Sequence, residues 1–131
     1  MMHVAAGVLA DVDGRVLLAE RPPGKQLAGH WEFPGGKLEP GETVVDALRR
    51  ELREELAINA DAIDAQPLIE VPWRHGEVDL RLIVHRVRSW QGTPRPCEGQ
   101  SLVWLLPADV EPDVLAPADR QILHALGCGR R

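Results

Sequence analysis

Glu51, Glu54 and Glu55 place three carboxylates within five residues of a run, Val44 to Leu56, that contains no Gly or Pro. Each residue advances a helix by about 100°, so the three acids share one arc about 100° wide. Val45, Leu48, Leu52 and Leu56 form an apolar stripe next to that arc. Arg49, Arg50 and Arg53 fall on the remaining side. The acids therefore border the buried stripe, where the wall of a cleft would stand. Like charges so close repel. A hard divalent cation relieves that repulsion, takes oxygen ligands, and commonly bridges protein carboxylates to substrate phosphates. Such an ion would supply an electrophile for phosphate chemistry. For the helix alone, a solvated acidic face balanced by arginines is the competing reading.

The segment before the helix favours the metal. Glu32-Phe33-Pro34-Gly35-Gly36-Lys37 sets two glycines beside a proline, which lets the backbone turn sharply and approach a ligand closely. Glu42 closes this loop. Thr43 is placed to cap the helix, with Asp46 three residues on in a capping-box-like start.

Gly36, Glu42, Arg50, Glu51, Leu52, Glu54, Glu55 and Ile58 together resemble the signature of the Nudix hydrolases. That signature runs Gly, five residues, Glu, seven residues, Arg-Glu, an apolar residue, any residue, Glu-Glu, any residue, Gly and an apolar residue. The chain departs from it at one place, where Ala57 replaces the last glycine. Glycine suits a helix C-terminus because it takes the left-handed conformation freely, and alanine there costs about 1–2 kcal/mol. The expectation is that the helix end shifts and that Asn59 becomes the left-handed residue. Gly7 to Phe33, the triplet Glu98-Gly99-Gln100 and the run Leu115-Ala116-Pro117-Ala118-Asp119 extend the likeness to the MutT-like branch.

The resemblance implies an α+β domain with the Nudix fold, a mixed β-sheet sandwiched between helices. It also implies an enzyme that hydrolyses a nucleoside triphosphate to a nucleoside monophosphate and pyrophosphate. By the same likeness Glu51, Glu54, Glu55 and a backbone carbonyl near Gly36 hold Mg²⁺, with Mn²⁺ as the alternative, and Glu98 approaches that ion. Glu51 or Glu98 deprotonates or orients the attacking water. Arg50 orients a glutamate, its helical position pointing away from the acidic arc, and Glu42 supports the loop or the metal shell. Arg21 and Lys37 contact substrate. Trp31 and Phe33 flank the loop, and one of them lines a base pocket. The plain alternatives are a solvated loop acid for Glu98, a surface residue for Arg21 and a core ring for Trp31.

Asp119 stands where the branch carries a base-reading asparagine. A carboxylate only accepts hydrogen bonds, whereas an amide also donates. Asp119 therefore either accepts from an amino group on cytosine or guanine, or serves as an acid at a helix N-terminus. Three functions compete: sanitising of 8-oxo-dGTP, hydrolysis of CTP or a modified dCTP, and a non-catalytic nucleotide- and metal-binding sensor.

The wider sequence frames this site. Its 131 residues, 44% hydrophobic and 27% charged, suit a single domain over 1–131. A net charge of -5 argues against a nucleic-acid polymer as partner, though not against a nucleotide that arrives with its cation. Two cysteines, Cys97 and Cys128, are too few for a disulfide framework. Without a signal peptide or a long apolar run, no membrane is expected and the cytoplasm is the default compartment; both monomer and homodimer fit. His30, His75, His85 and His124 lack zinc-ligand spacing.

Apolar runs predict strands at Val4 to Asp11 and Arg15 to Glu20, joined as a hairpin through Asp13-Gly14. Arg21 to His30 reads as a loop and Leu68 to Val71 as a short strand. Val78 to Val87 reads as a half-buried strand with Val78, Leu80, Leu82 and Val84 on its inner face. Thr93 to Gly99 is a loop, Ser101 to Leu105 a strand, and Ala118 to Leu126 a helix that stops at Gly127.

Overall fold

The computed structural model describes residues 1–24 and 28–127; part of the Arg21–His30 loop and Cys128 lie outside them. The first two apolar runs form strands β1 (Met2–Leu9) and β2 (Val16–Glu20). Both are covered on two faces. Ala6, Val8, Val16 and Leu18 enter one hydrophobic cluster, while Ala5, Leu9 and Leu17 enter another. A strand buried on both sides shows a continuous apolar run.

The expected hairpin forms only its turn. Gly14 takes φ 84° and the Asp11 N–H donates to Arg15 O at 2.9 Å, but pairing stops at the single bridge between Ala10 and Val16. The edges of both strands are taken elsewhere. β1 lies between β4 (Gly35–Lys37) and the long strand β7 (Val78–Gln91). β2 lies between β3 (Trp31–Glu32) and β8 (Leu102–Leu105). The result is a mixed α+β fold with two sheets, of five and three strands.

β7 pairs in parallel with β1 on one edge. Its other edge carries β6 (Ile69–His75) and then β5 (Asn59–Ile63), both antiparallel. The half-buried reading of this strand is corrected at its middle: Ile83, Val84 and His85 are all buried, whereas Val78 is exposed. The middle of β7 is covered on both faces, with Leu82 and Val84 in one hydrophobic cluster and Val87 in the other.

Helix α1 (Val44–Leu56) starts where Thr43 Oγ1 accepts from the Asp46 N–H at 3.1 Å. Its buried residues are Ala47, Leu48, Leu52 and Leu56, so Ala47 joins the stripe and Val45 stays half-exposed. The close seating of α1 on β1 needs Gly7: a Cβ there would lie 3.2 Å from Leu48 Cδ1 and 3.1 Å from Val87 Cγ2.

The helix end does not shift, contrary to the expectation from Ala57. Ala57 itself is left-handed, at φ 58° and ψ 36°, and its N–H donates to Arg53 O at 3.1 Å. The next two residues hold it there: Ile58 is fully buried, and Asn59 is already paired with Gln91 in β5. Moving the cap to Asn59 would break both. At the other end of the chain, a 3-10 turn at Pro117–Asp119 leads into α2 (Arg120–Ala125), and Gly127 ends it with φ 92°.

Candidate active site

Gly35 sits where only a bare backbone fits, and Gly36 leaves space that the Glu51 carboxylate fills. β4 pairs with β1 so that Gly35 faces Ala6 and Gly36 faces Ala5. A Cβ on Gly35 would collide with Ala5 O, and one on Gly36 would overlap the Glu51 carboxylate. The loop backbone is therefore laid directly against the acidic side of α1, which fixes the distance between the Gly36 segment and Glu51.

A cleft of about 210 Å³ opens there, lined by Glu20, Arg21, Glu32, Gly35, Glu51, Glu55, Glu98 and Gln100, among others. Glu55 is mostly buried, and that burial, with Glu51, Glu98 and Glu32 around it, pushes its carboxyl up to about 9. Arg21 Nη1 donates to both oxygens of Glu32 at 3.0 and 2.7 Å. Glu32 is brought opposite Ala19 by the β2–β3 register.

Arg50 organises the rim. Its Nε and Nη2 donate to Glu42 at 2.7 and 2.9 Å, and Nη2 also donates to Lys37 O at 3.0 Å. Nη1 reaches Glu51 at 3.3 Å and Glu54 at 3.2 Å. Arg50 thus orients glutamates as expected, but it does not point away from them: its long side chain curls back along the helix. The hydrogen bonds from Arg50, with the Glu39 N–H, hold Glu42 down at about 2, and the Glu42 carboxylate in turn raises Arg50 well above its ordinary value. Glu42 is a support of the loop in this arrangement.

Of the acids named from sequence, Glu51, Glu55 and Glu98 share the cleft, while Glu54, with its side chain 55% exposed, stays on the rim with Arg50. Among the described residues no three acidic, His or Cys side chains are gathered closely enough to hold an ion as they stand. Glu55 shares a side-chain hydrogen bond with Glu51, and Arg50 draws Glu51 and Glu54 to itself. Lys37 is exposed and is tied in through its carbonyl.

Asp119, Trp31 and Phe33 are not among the residues that line the cleft. The Asp119 carboxylate is 8% exposed and its Oδ2 accepts from the Phe33 N–H at 2.8 Å. Asp119 stands at the N-cap of α2, the helix N-terminus that was one of its two expected places, although its side chain makes no capping bond there. Burial pushes Asp119 up to about 7; the Phe33 N–H opposes this, Glu32 adds to it, and Arg21 opposes it. The Phe33 ring is buried in the core and Trp31 packs against the same cluster.

Glu20, Glu32 and Gln100 line the cleft without having been singled out as site residues. For Glu32 a signal existed, since it directly precedes Phe33-Pro34-Gly35-Gly36. Gln100 stood in the triplet Glu98-Gly99-Gln100 without a role of its own, and Glu20 depends on a strand pairing that no local pattern displays.

Known proteins are similar to this chain over nearly its whole length. The NUDIX domain model matches residues 1–126. The CTP pyrophosphohydrolase of Escherichia coli (strain K12) is 42% identical over 128 residues, covering 95% of this chain and 90% of the relative. The 8-oxo-dGTP diphosphatase of the same organism is 30% identical over 127 residues, covering 95% of each. Among solved structures, the MutT NUDIX hydrolase from Burkholderia pseudomallei superposes with a TM-score of 0.83 at 30% identity, over 95% of this chain and 97% of that one. With its loop and acidic helix seated as described, the chain belongs to the NUDIX family and is a MutT-like Nudix hydrolase, an enzyme acting on pyrophosphate bonds.

Proposed function

We propose that this enzyme is a Mg²⁺-dependent nucleoside triphosphate pyrophosphohydrolase that releases a nucleoside monophosphate and pyrophosphate. The observation that carries this reading is the convergence of Glu51, Glu55 and Glu98 with Arg21 in one cleft against the bare backbone of Gly35. The residues fit a divalent cation. Glu55 is hindered from ionising by burial and by its acidic neighbours, a condition that a cation reverses, and the Glu51 carboxylate occupies the space that a Cβ on Gly36 would fill. Glu51, Glu54, Glu55 and Glu98 with the Gly36 carbonyl would hold it, Glu54 by turning from the rim. When bound, the ion supplies an electrophile on the phosphate oxygens.

The protein's own groups do the rest. Glu51 or Glu98 accepts the proton of the attacking water as its oxygen bonds to phosphorus and the bridging P–O bond breaks, with its electron pair leaving on pyrophosphate. Arg50, anchored on Glu42, orients Glu51. Arg21, held by Glu32, offers a positive charge at the mouth of the cleft. Glu54→Gln is expected to lower turnover about 10²–10⁴-fold; near-normal turnover would sink the metal-ligand role.

Two base assignments remain within this reaction: 8-oxo-dGTP in nucleotide-pool sanitation, and CTP or a modified dCTP. The second is favoured by the 42% relative, a CTP pyrophosphohydrolase, together with Asp119, whose ionised form accepts from an amino group such as that of cytosine. Pyrophosphate release with Mg²⁺ over CTP, modified dCTP, dGTP and 8-oxo-dGTP separates the two. The cytosine reading predicts the highest kcat/KM for a cytosine nucleotide, and a preference for 8-oxo-dGTP overturns it. The compartment proposed is the cytoplasm; among the described residues no helix is long and apolar enough to cross a membrane.

A further inference from the structure

Residues 95–100 form a strap across the C-terminal end of α1. The Arg95 N–H donates to Leu56 O at 2.9 Å, and the Cys97 N–H to Glu55 O at 3.1 Å. Gln100 completes the strap from inside. Its Nε2 donates to the same Glu55 O at 3.2 Å, and its Oε1 accepts from the Glu98 N–H at 2.9 Å. A helix leaves its last carbonyls without intrahelical partners, and the strap takes up two of them. Gly99, left-handed at φ 75° with its N–H on Pro96 O at 3.2 Å, closes the turn that presents Glu98.

Gln100 is 7% exposed, whereas Glu98 two positions earlier is exposed and lines the cleft. A short exposed loop would by itself leave Glu98 many orientations. Here its backbone is tied through one buried amide to the helix that carries Glu51 and Glu55. We infer that Gln100 is a positioning residue for hydrolysis: by clamping the Glu98 N–H to the Glu55 carbonyl, it holds the Glu98 carboxylate in the cleft opposite Glu51 and Glu55. This rests on Glu98 being a working carboxylate of the site. A side-chain amide bonded at both ends is stiff, and removing it leaves the Glu98 N–H without its partner. Displacing a catalytic group by about 1 Å costs on the order of 10²-fold in rate.

The test uses the full chain and pyrophosphate release from its preferred nucleotide. Gln100→Met, close in volume but unable to bond, should lower kcat about 10²-fold while leaving KM within about twofold. Combined with Glu98→Gln, it should add less than about twofold to the loss caused by Glu98→Gln alone, because residues acting through one group are non-additive. Losses that multiply, or a change in KM alone, would overturn the proposal. Amide hydrogen exchange gives a reading independent of activity. Exchange at the Glu98 N–H should rise at least about tenfold in Gln100→Met while the amides of Leu82 and Val84 in the core strand are unchanged; unaltered exchange at Glu98 also overturns it. Gln100→Asn, shorter by one methylene, should show both effects if the methionine variant fails to fold. Full turnover in Glu98→Gln would remove the role of Glu98 itself, and the exchange result would still decide whether Gln100 is the clamp.

Discussion

Asp119 is a carboxylate kept largely from water, and its Oδ2 accepts a hydrogen bond from the Phe33 N–H. Its folded value of about 7 stands above the ordinary 3.8, so the folded state binds more protons than the unfolded chain between those two limits. Stability from this residue is therefore greatest below the unfolded value, declines as pH rises, and is fully lost above about 7. Asparagine keeps an acceptor for the Phe33 N–H and does not ionise. Asp119→Asn should stabilise the fold by on the order of 2 kcal/mol at pH 8 and by little at pH 4, as read from denaturant midpoints across pH. A difference that stays constant with pH would mean that Asp119 titrates normally. The same variant, carrying a donor as well as an acceptor, should lower kcat/KM for cytosine nucleotides relative to 8-oxo-dGTP if this side chain reads the base.

At the scale of elements, α1 was legible because its instructions are local: Thr43 caps it, the apolar spacing sets its face, and Glu51, Glu54 and Glu55 take their places from their angular positions. Its end was misjudged because the penalty at Ala57 was weighed without its neighbours. Burying Ile58 and pairing Asn59 with Gln91 hold the helix end in place despite a cost of about 1–2 kcal/mol at Ala57. Ala57→Gly should therefore raise stability by about 0.5–1 kcal/mol, measured by urea denaturation, without altering turnover; a loss of stability would show that the left-handed alanine is unstrained. The strands β3 and β4 are too short to display a period, and β5 is irregular in register. Glu32 and Gln100 stood in motifs that the sequence displayed, but their places in the cleft were not legible, for a related reason. Each enters the cleft through a partner distant in sequence, Glu32 opposite Ala19 across β2–β3 and Gln100 on the carbonyl of Glu55, and residue type alone does not reveal such pairings.

For the molecule as a whole, a cation in the proposed site would tie folding to metal binding. Glu55, pushed up to about 9 by burial and then by Glu51, Glu98 and Glu32, is protonated in the metal-free fold at neutral pH and ionised in the unfolded chain. The metal-free protein should thus lose stability as pH rises from the ordinary carboxylate value, 4.5, through about 9. A divalent cation binds the ionised form and displaces that proton, so its apparent affinity should increase over the same interval. Saturation at 100 times Kd contributes about 2.7 kcal/mol, which for a domain of this size raises Tm by roughly 10 °C. Thermal melts with and without Mg²⁺ should show a gap that widens from pH 6 to pH 9. In Glu55→Gln the metal-free protein should melt higher than the parent at alkaline pH, and the gap should shrink and lose its pH dependence. A gap of equal size at both pH values in the parent protein would place the cation away from Glu55, and the three-glutamate reading of α1 would fall with it.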